Sequence, residues 1–127
     1  MATRFVEPAF RTYADAEALL QSGRLGTPDH LYGLACECAL KAILTGLGII
    51  TSDPPQQPYK RHVNELWGEY LTALSGRTAS TFAVASANPF ATWKVENRYW
   101  DDAQFSMPLV QQHRAGAQQG MALLQLA

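Results

Sequence analysis

The sequence is poor in the residues that most often announce chemistry. It has only two cysteines, Cys36 and Cys38; two apart on one helix, they point roughly 200° away from each other and cannot pair. They read as reduced core residues, which suits a cytoplasmic protein. No His/Cys set has metal-ligand spacing, no glycine-rich phosphate loop occurs, and neither Gly-x-Ser-x-Gly nor His-Glu-x-x-His is found. These absences argue against zinc, P-loop and hydrolase-elbow enzymes and leave no cofactor to expect. No apolar run reaches the roughly 20 residues of a membrane span, and Met1 to Phe5 does not read as a signal peptide. An excess of one charge is missing as well. Ten basic and eleven acidic residues give a formal net charge of -1, so any nucleic-acid contact needs a local patch, and no membrane partner is expected. Internal repeats and β-hairpin signals are also lacking, which leaves an all-α class.

What is present is apolar, periodic and well punctuated. With 47% apolar and 17% charged residues in 127 positions, the chain is long enough for one domain, 1–127, with a real core. The stretch from Thr27 to Gly48 organises it. Thr27 can cap a helix, Pro28 suits its first position and Asp29 suits the positive end of its dipole. Apolar residues then face nearly every direction: Leu31, Leu34, Ala35, Cys38 and Ala42 on one stripe, Leu40, Ile43, Leu44 and Leu47 on another. A helix apolar all round needs neighbours on several sides. Only Glu37 and Lys41 interrupt it, four apart, with His30 two turns earlier on a similar azimuth.

Before this central helix, Phe10, Tyr13, Ala14 and Leu20 predict a first helix over Pro8 to Gln21, with Gly23 or Gly26 as its stop. After it, Thr51 to Pro58 carries three prolines and no periodicity, and predicts a mobile loop. Val63, Leu66, Trp67, Tyr70, Leu71 and Leu74 share one face of a third helix, His62 to Leu74, ended by Gly76. Thr78 to Ala87 is either a short helix or an irregular crossover. An aromatic cluster of Phe90, Trp93, Tyr99 and Trp100 follows, carrying Lys94, Glu96 and Arg98. Ser106 and Pro108 start a last helix that runs toward Leu124. Gly116 and Gly120, four apart on it, permit close approach of another backbone. The expected architecture is an antiparallel bundle of four to five helices.

The candidate site residues each have a plain structural reading beside a functional one. Glu37 and Lys41 form an ion pair within a helix, or orient a substrate. His62, next to Lys60 and Arg61, is a polar residue at a helix start, or a general base or phosphate contact. Lys94 and Arg98, with Trp93 and Tyr99 close by, are solvated charges beside core aromatics, or together with Lys60 and Arg61 a patch that grips phosphates and stacks on bases.

The run Leu34 to Leu44, then His62-Val63-Asn64-Glu65-Leu66-Trp67, then Asn97-Arg98-Tyr99-Trp100-Asp101 before a last helix resembles the HEPN-like domains, by motif order and spacing from about Tyr13 to Leu124. The resemblance implies a helical bundle, commonly a homodimer, in families associated with nucleotide binding, RNA cleavage and toxin–antitoxin pairs. Catalytic members carry an Arg followed four to six residues later by a His. Here Arg98 has no such histidine, His113 lies far beyond the window, and Arg24 with His30 fits only formally, on the wrong helix. The expectation is therefore a non-catalytic nucleotide-, RNA- or protein-binding module, with a polar seam of Glu37, Lys41, His62 and Arg98 and with Lys94 and Tyr99 beside it. Its partners would include a nucleotidyltransferase or an antitoxin. The alternatives are a ribonuclease toxin using His62 and Arg98, and a purely structural dimeric partner. Trp93, Trp100 and the Gly116/Gly120 surface are candidate dimer faces.

Overall fold

The computed structural model describes residues 4–75 and 82–126. Four α-helices run along the chain: α1 (Val6–Gln21), α2 (Gly26–Gly46), α3 (Val63–Leu74) and α4 (Met107–Leu126). Two short 3-10 turns, Val95–Tyr99 and Asp102–Gln104, precede α4, and no strand is found among the described residues. The all-α class therefore stands, with four α-helices in the described chain. Gly76 and residues 78–81 lie outside the described residues; residues 83–87 form no helix. None of the helices is long and apolar enough to cross a membrane, among the described residues.

The apolar surround of α2 is used as its composition requires. Thirteen of its twenty-one residues are buried, against two of sixteen in α1, so α2 is the axis and α1 an outer helix. It packs against α1, α3, α4 and the first 3-10 turn. The turn between α1 and α2 is short, and Gly23 takes a φ of 90° there, a conformation that side chains with a Cβ resist. Leu40, Ile43 and Leu44 of α2 join Val63, Leu66, Trp67 and Tyr70 of α3 and Val110, Ala117, Met121 and Leu124 of α4 in one core.

The two α4 glycines serve this packing. A Cβ on Gly116 would stand 2.7 Å from Phe90 and Pro89, and one on Gly120 would stand 3.0 Å from the Cys36 sulfur. Their close approach is internal, which removes the Gly116/Gly120 surface as a dimer face; Trp93, fully buried, is removed with it. The crossover into α4 is pinned from both sides. Trp67 donates its indole N–H to the Ala85 carbonyl at 2.9 Å, Tyr70 its hydroxyl to the Phe82 carbonyl at 2.7 Å, and the Ala85 N–H reaches Gln119 at 2.7 Å. The proline segment is braced rather than loose: Gln56 accepts from the Thr51 N–H at 3.0 Å and donates to the Ile49 carbonyl at 2.8 Å.

The start of α2 departs from the sequence expectation. The helix begins at Gly26, and Thr27 lies exposed inside its first turn, where its hydroxyl makes no capping bond. The free amides are met from far away in sequence: Asp102 accepts from the Leu25 N–H at 3.2 Å and from the Gly26 N–H at 2.9 Å. Gly26 is needed for this approach, since a Cβ there would sit 2.8 Å from the Asp102 carboxylate.

Asp29 does more than complement a dipole. It is buried, and its Oδ1 accepts from His113 Nδ1 of α4 at 2.6 Å, both side chains at 1% exposure or less. His113 stacks on Phe90 at 5.4 Å between ring centres, and the Asp29 carbonyl accepts from the Trp93 indole at 3.1 Å. A second tie joins three helices at the surface. Arg114 forks onto Glu17 at 2.7 and 3.0 Å, and the Tyr32 hydroxyl donates to the same carboxylate at 2.8 Å. The Arg114 guanidinium holds the Glu17 carboxyl below its ordinary pKa, against the opposing effect of burial.

Two stability tests follow from these contacts. Asp102→Ala should cost about 1 kcal/mol in urea unfolding, as a lost helix cap does, while Thr27→Ala stays within about 0.5 kcal/mol. Removing one member of the buried pair, by Asp29→Ala or His113→Ala, should cost about 3–5 kcal/mol, and the apolar double replacement Asp29→Leu/His113→Phe should recover much of that loss.

Candidate functional site

One stripe of α2 carries His30, Gly33, Glu37 and Lys41, at steps of three, four and four residues, so all four face the same side. Gly33 leaves the space in which Trp93 lies; a Cβ at that position would come within 2.1 Å of the indole. Trp93 then packs against two imidazoles. His30 stacks on it at 5.7 Å with the planes 10° apart, and His62 meets it at 6.4 Å with a 60° tilt.

His62 is the residue before α3, in extended backbone, and makes no side-chain cap to its own helix. Its ring turns to α2 instead, with Nδ1 donating to Glu37 Oε1 at 3.1 Å. The other carboxylate oxygen of Glu37 takes Lys41 Nζ at 3.3 Å. Glu37 and Lys41 are nearly buried, whereas the His62 side chain is 52% exposed. The expected meeting of Glu37, Lys41 and His62 is thus present as a three-member cluster in which one carboxylate holds two basic groups.

Outside this cluster lies a cleft of about 250 Å³, lined by Lys41, Lys60, Arg61 and His62. Arg61 has Glu65 and Glu69 at 3.7 and 3.6 Å, while Lys60 is exposed and has no ion pair among the described residues. The amides of Val63 and Asn64, in the first turn of α3 next to His62, have no acceptors within the helix. Four basic side chains converge here, with their carboxylates set behind or beside them. Such a surface can accept an oxyanion and has no arrangement for a cation; no group of three or more metal-ligating side chains occurs among the described residues.

The remaining predicted site residues are elsewhere. Arg98 is exposed, and its guanidinium lies over the Tyr99 ring at 4.8 Å and donates to the Tyr99 hydroxyl at 2.9 Å. It has no carboxylate partner among the described residues, so it is not part of a buried seam. Lys94 stands exposed just before the first 3-10 turn. Tyr99 is 74% exposed. The expected base-stacking patch loses Trp93, which is buried under His30 and against Gly33, and keeps Tyr99 with Arg98 on its ring. The exposed aromatics left for any partner among the described residues are Phe10, Tyr99 and Trp100.

His30 earns a larger place than its two-turn spacing from Glu37 suggested. Burial holds its pKa below the ordinary histidine value, the positive charge of Arg98 adds to that effect, and Asp29 partly offsets it. The buried partnership of Asp29 and His113 was missed by sequence reasoning altogether. Its one signal is that His113 falls on the apolar stripe of α4 with Val110, Ala117 and Met121, where a polar ring demands a partner.

Comparison with known protein families, with characterised proteins and with solved structures finds no match to this chain. The class defined by fold and site is therefore a helical bundle with a basic cleft beside its central helix.

Three outcomes test this geometry. Arg98→Ala should change stability by no more than about 0.5 kcal/mol, as expected of an exposed side chain. Gly33→Ala should lower stability and change the fluorescence of a chain in which Trp93 is retained, because the indole has to leave its seat. Because the folded protein disfavours charged His30, the unfolded chain binds that proton more readily. Stability is therefore retained above the ordinary value of 6.5 and should fall as pH drops below it, less steeply in His30→Gln, as read by urea midpoints.

Proposed function

We propose that this chain is a non-catalytic HEPN-like module that binds nucleotide or RNA through phosphate contacts in the basic cleft. The observation that carries the reading is the convergence of Lys41, Lys60, Arg61 and His62 on one cavity of about 250 Å³ in a chain whose formal net charge is -1. In a chain with no overall attraction for polyanions, the cation donors gathered at this cavity, with Lys60 free of any ion pair among the described residues and Lys41 and Arg61 paired to carboxylates, are the feature that would meet a phosphate. The all-α bundle built on a polar-striped central helix agrees with the motif order of the HEPN-like resemblance. In this reading the protein works in the cytoplasm as a homodimer, in a system with a nucleotidyltransferase or an antitoxin. Exposed Tyr99, with Arg98 on its ring, offers a base-stacking platform apart from the phosphate contacts.

A ribonuclease is the second reading, favoured by one observation. His62 is oriented by Glu37 in the manner of a base held by a carboxylate, and a second imidazole, His30, packs on the same Trp93 ring. In that case His62 would take the proton and Arg98 or Lys41 would stabilise phosphate charge.

Labelled single-stranded RNA tests both. The module reading expects binding without cleavage. It also expects the logarithmic salt dependence to flatten by about 0.7 for each phosphate contact removed by Lys60→Ala and by Arg61→Ala. Cleavage that disappears in His62→Ala would establish the ribonuclease instead, and failure to bind RNA or nucleotide at low salt would overturn the module.

A further inference from the structure

The cleft has a charge arrangement that bears on how it would take an anion. Its three permanent cations, Lys41, Lys60 and Arg61, are set against three carboxylates, Glu37, Glu65 and Glu69. With His62 neutral, the lining and its backing sum to zero. Glu37 is common to Lys41 and His62, and it settles which ring nitrogen of His62 carries the proton. Nδ1 faces the carboxylate at 3.1 Å and is the donor, so in the neutral ring Nε2 is a bare lone pair. A lone pair repels an oxyanion, and an N–H in its place attracts one.

Resting on the reading of this cleft as a phosphate contact, we infer that it is a proton-linked oxyanion site: a phosphate-type anion enters with one proton from solvent, which His62 takes at Nε2. The imidazolium then bridges Glu37 on one side and the anion on the other, and the site stays electrically balanced because one negative and one positive charge arrive together. No covalent bond to the ligand forms or breaks.

The surroundings place the proton on this ring. The charged and titratable groups around His62 are Glu37 and Lys41 on α2, His30 on α2, which also packs on Trp93, Lys60 and Arg61 on its own segment, and Glu65 and Glu69 on α3; Arg98, on the first 3-10 turn, acts on His30. Of these side-chain types, imidazole is the one that changes charge near neutrality. His30 is the competing imidazole, and burial together with Arg98 lowers its pKa from the ordinary histidine value.

The test is an NMR pH titration of the three histidine rings in the full chain, with and without dimethyl phosphate, which keeps a single negative charge across the neutral range. His62→Gln identifies the His62 signal and keeps an N–H for Glu37. The expected result is that saturating probe moves the His62 midpoint up by about one pH unit, a tenfold linkage, while the buried His113 signal stays in place. In His62→Gln, probe binding should lose its pH dependence. Probe binding with an unmoved His62 midpoint would overturn the proton link and leave the RNA-binding module standing. RNA binding without probe binding would overturn the cleft as the anion site, and absence of both would remove the module as well. Proton-linked binding of the probe with no affinity for RNA or nucleotide would keep this inference and overturn the module.

Discussion

The buried contact between Asp29 and His113 is the constraint from which the arrangement of the other parts follows. It fixes the first turn of α2 to the second turn of α4, two positions 84 residues apart, at a depth where an unpaired carboxylate would be costly. The same aspartate supplies the carbonyl that holds the Trp93 indole, and the same histidine supplies the ring on which Phe90 lies. Phe90 in turn meets Trp67 of α3 at 6.0 Å. One polar pair thus sets the position of the aromatic segment that closes the bundle between α3 and α4.

That closure creates the candidate site. With Trp93 seated over Gly33, Glu37 and Lys41 lie further along the same side of α2, and Glu37 meets the residue that precedes α3. His62 then comes to Glu37, and Lys60 and Arg61 arrive with it because they precede it in the chain. The basic cleft is a by-product of how the core is sealed: its cations come from a helix side and a loop end, and both are placed by contacts that lie inside the fold. Glu37 has two functions in this arrangement, neutralising Lys41 at low solvent exposure and choosing the tautomer of His62.

Much of this was readable from residue order, and the failures have physical causes. Helical periodicity and end signals placed α1 to α4 within a few residues, because amphipathic spacing and Ser106-x-Pro108 are local features. Glu37, Lys41 and His62 were joined correctly because two of them share a helix and the third begins the next one. Arg98 was misplaced because sequence records that a charge is present and is silent on whether an adjacent tyrosine will occupy it. Asp29 and His113 were missed because each has an adequate local explanation, a dipole for one and an ordinary polar side chain for the other; their value exists only when the helices meet. The Gly116/Gly120 spacing correctly signalled close approach, but its partners were this chain's own Phe90, Pro89 and Cys36.

The cap on α2 bears on the order in which the molecule can assemble. Its acceptor lies 76 residues downstream of Gly26, so as the chain emerges from the ribosome the innermost helix acquires its length well before its leading end is secured. Until residue 102 arrives, the amides of Leu25 and Gly26 have only solvent to bond with, and the hinge between α1 and α2 is free to fray. Completion of the bundle and tightening of that hinge are therefore a single late event, completed only when the second half of the polypeptide folds back over the first.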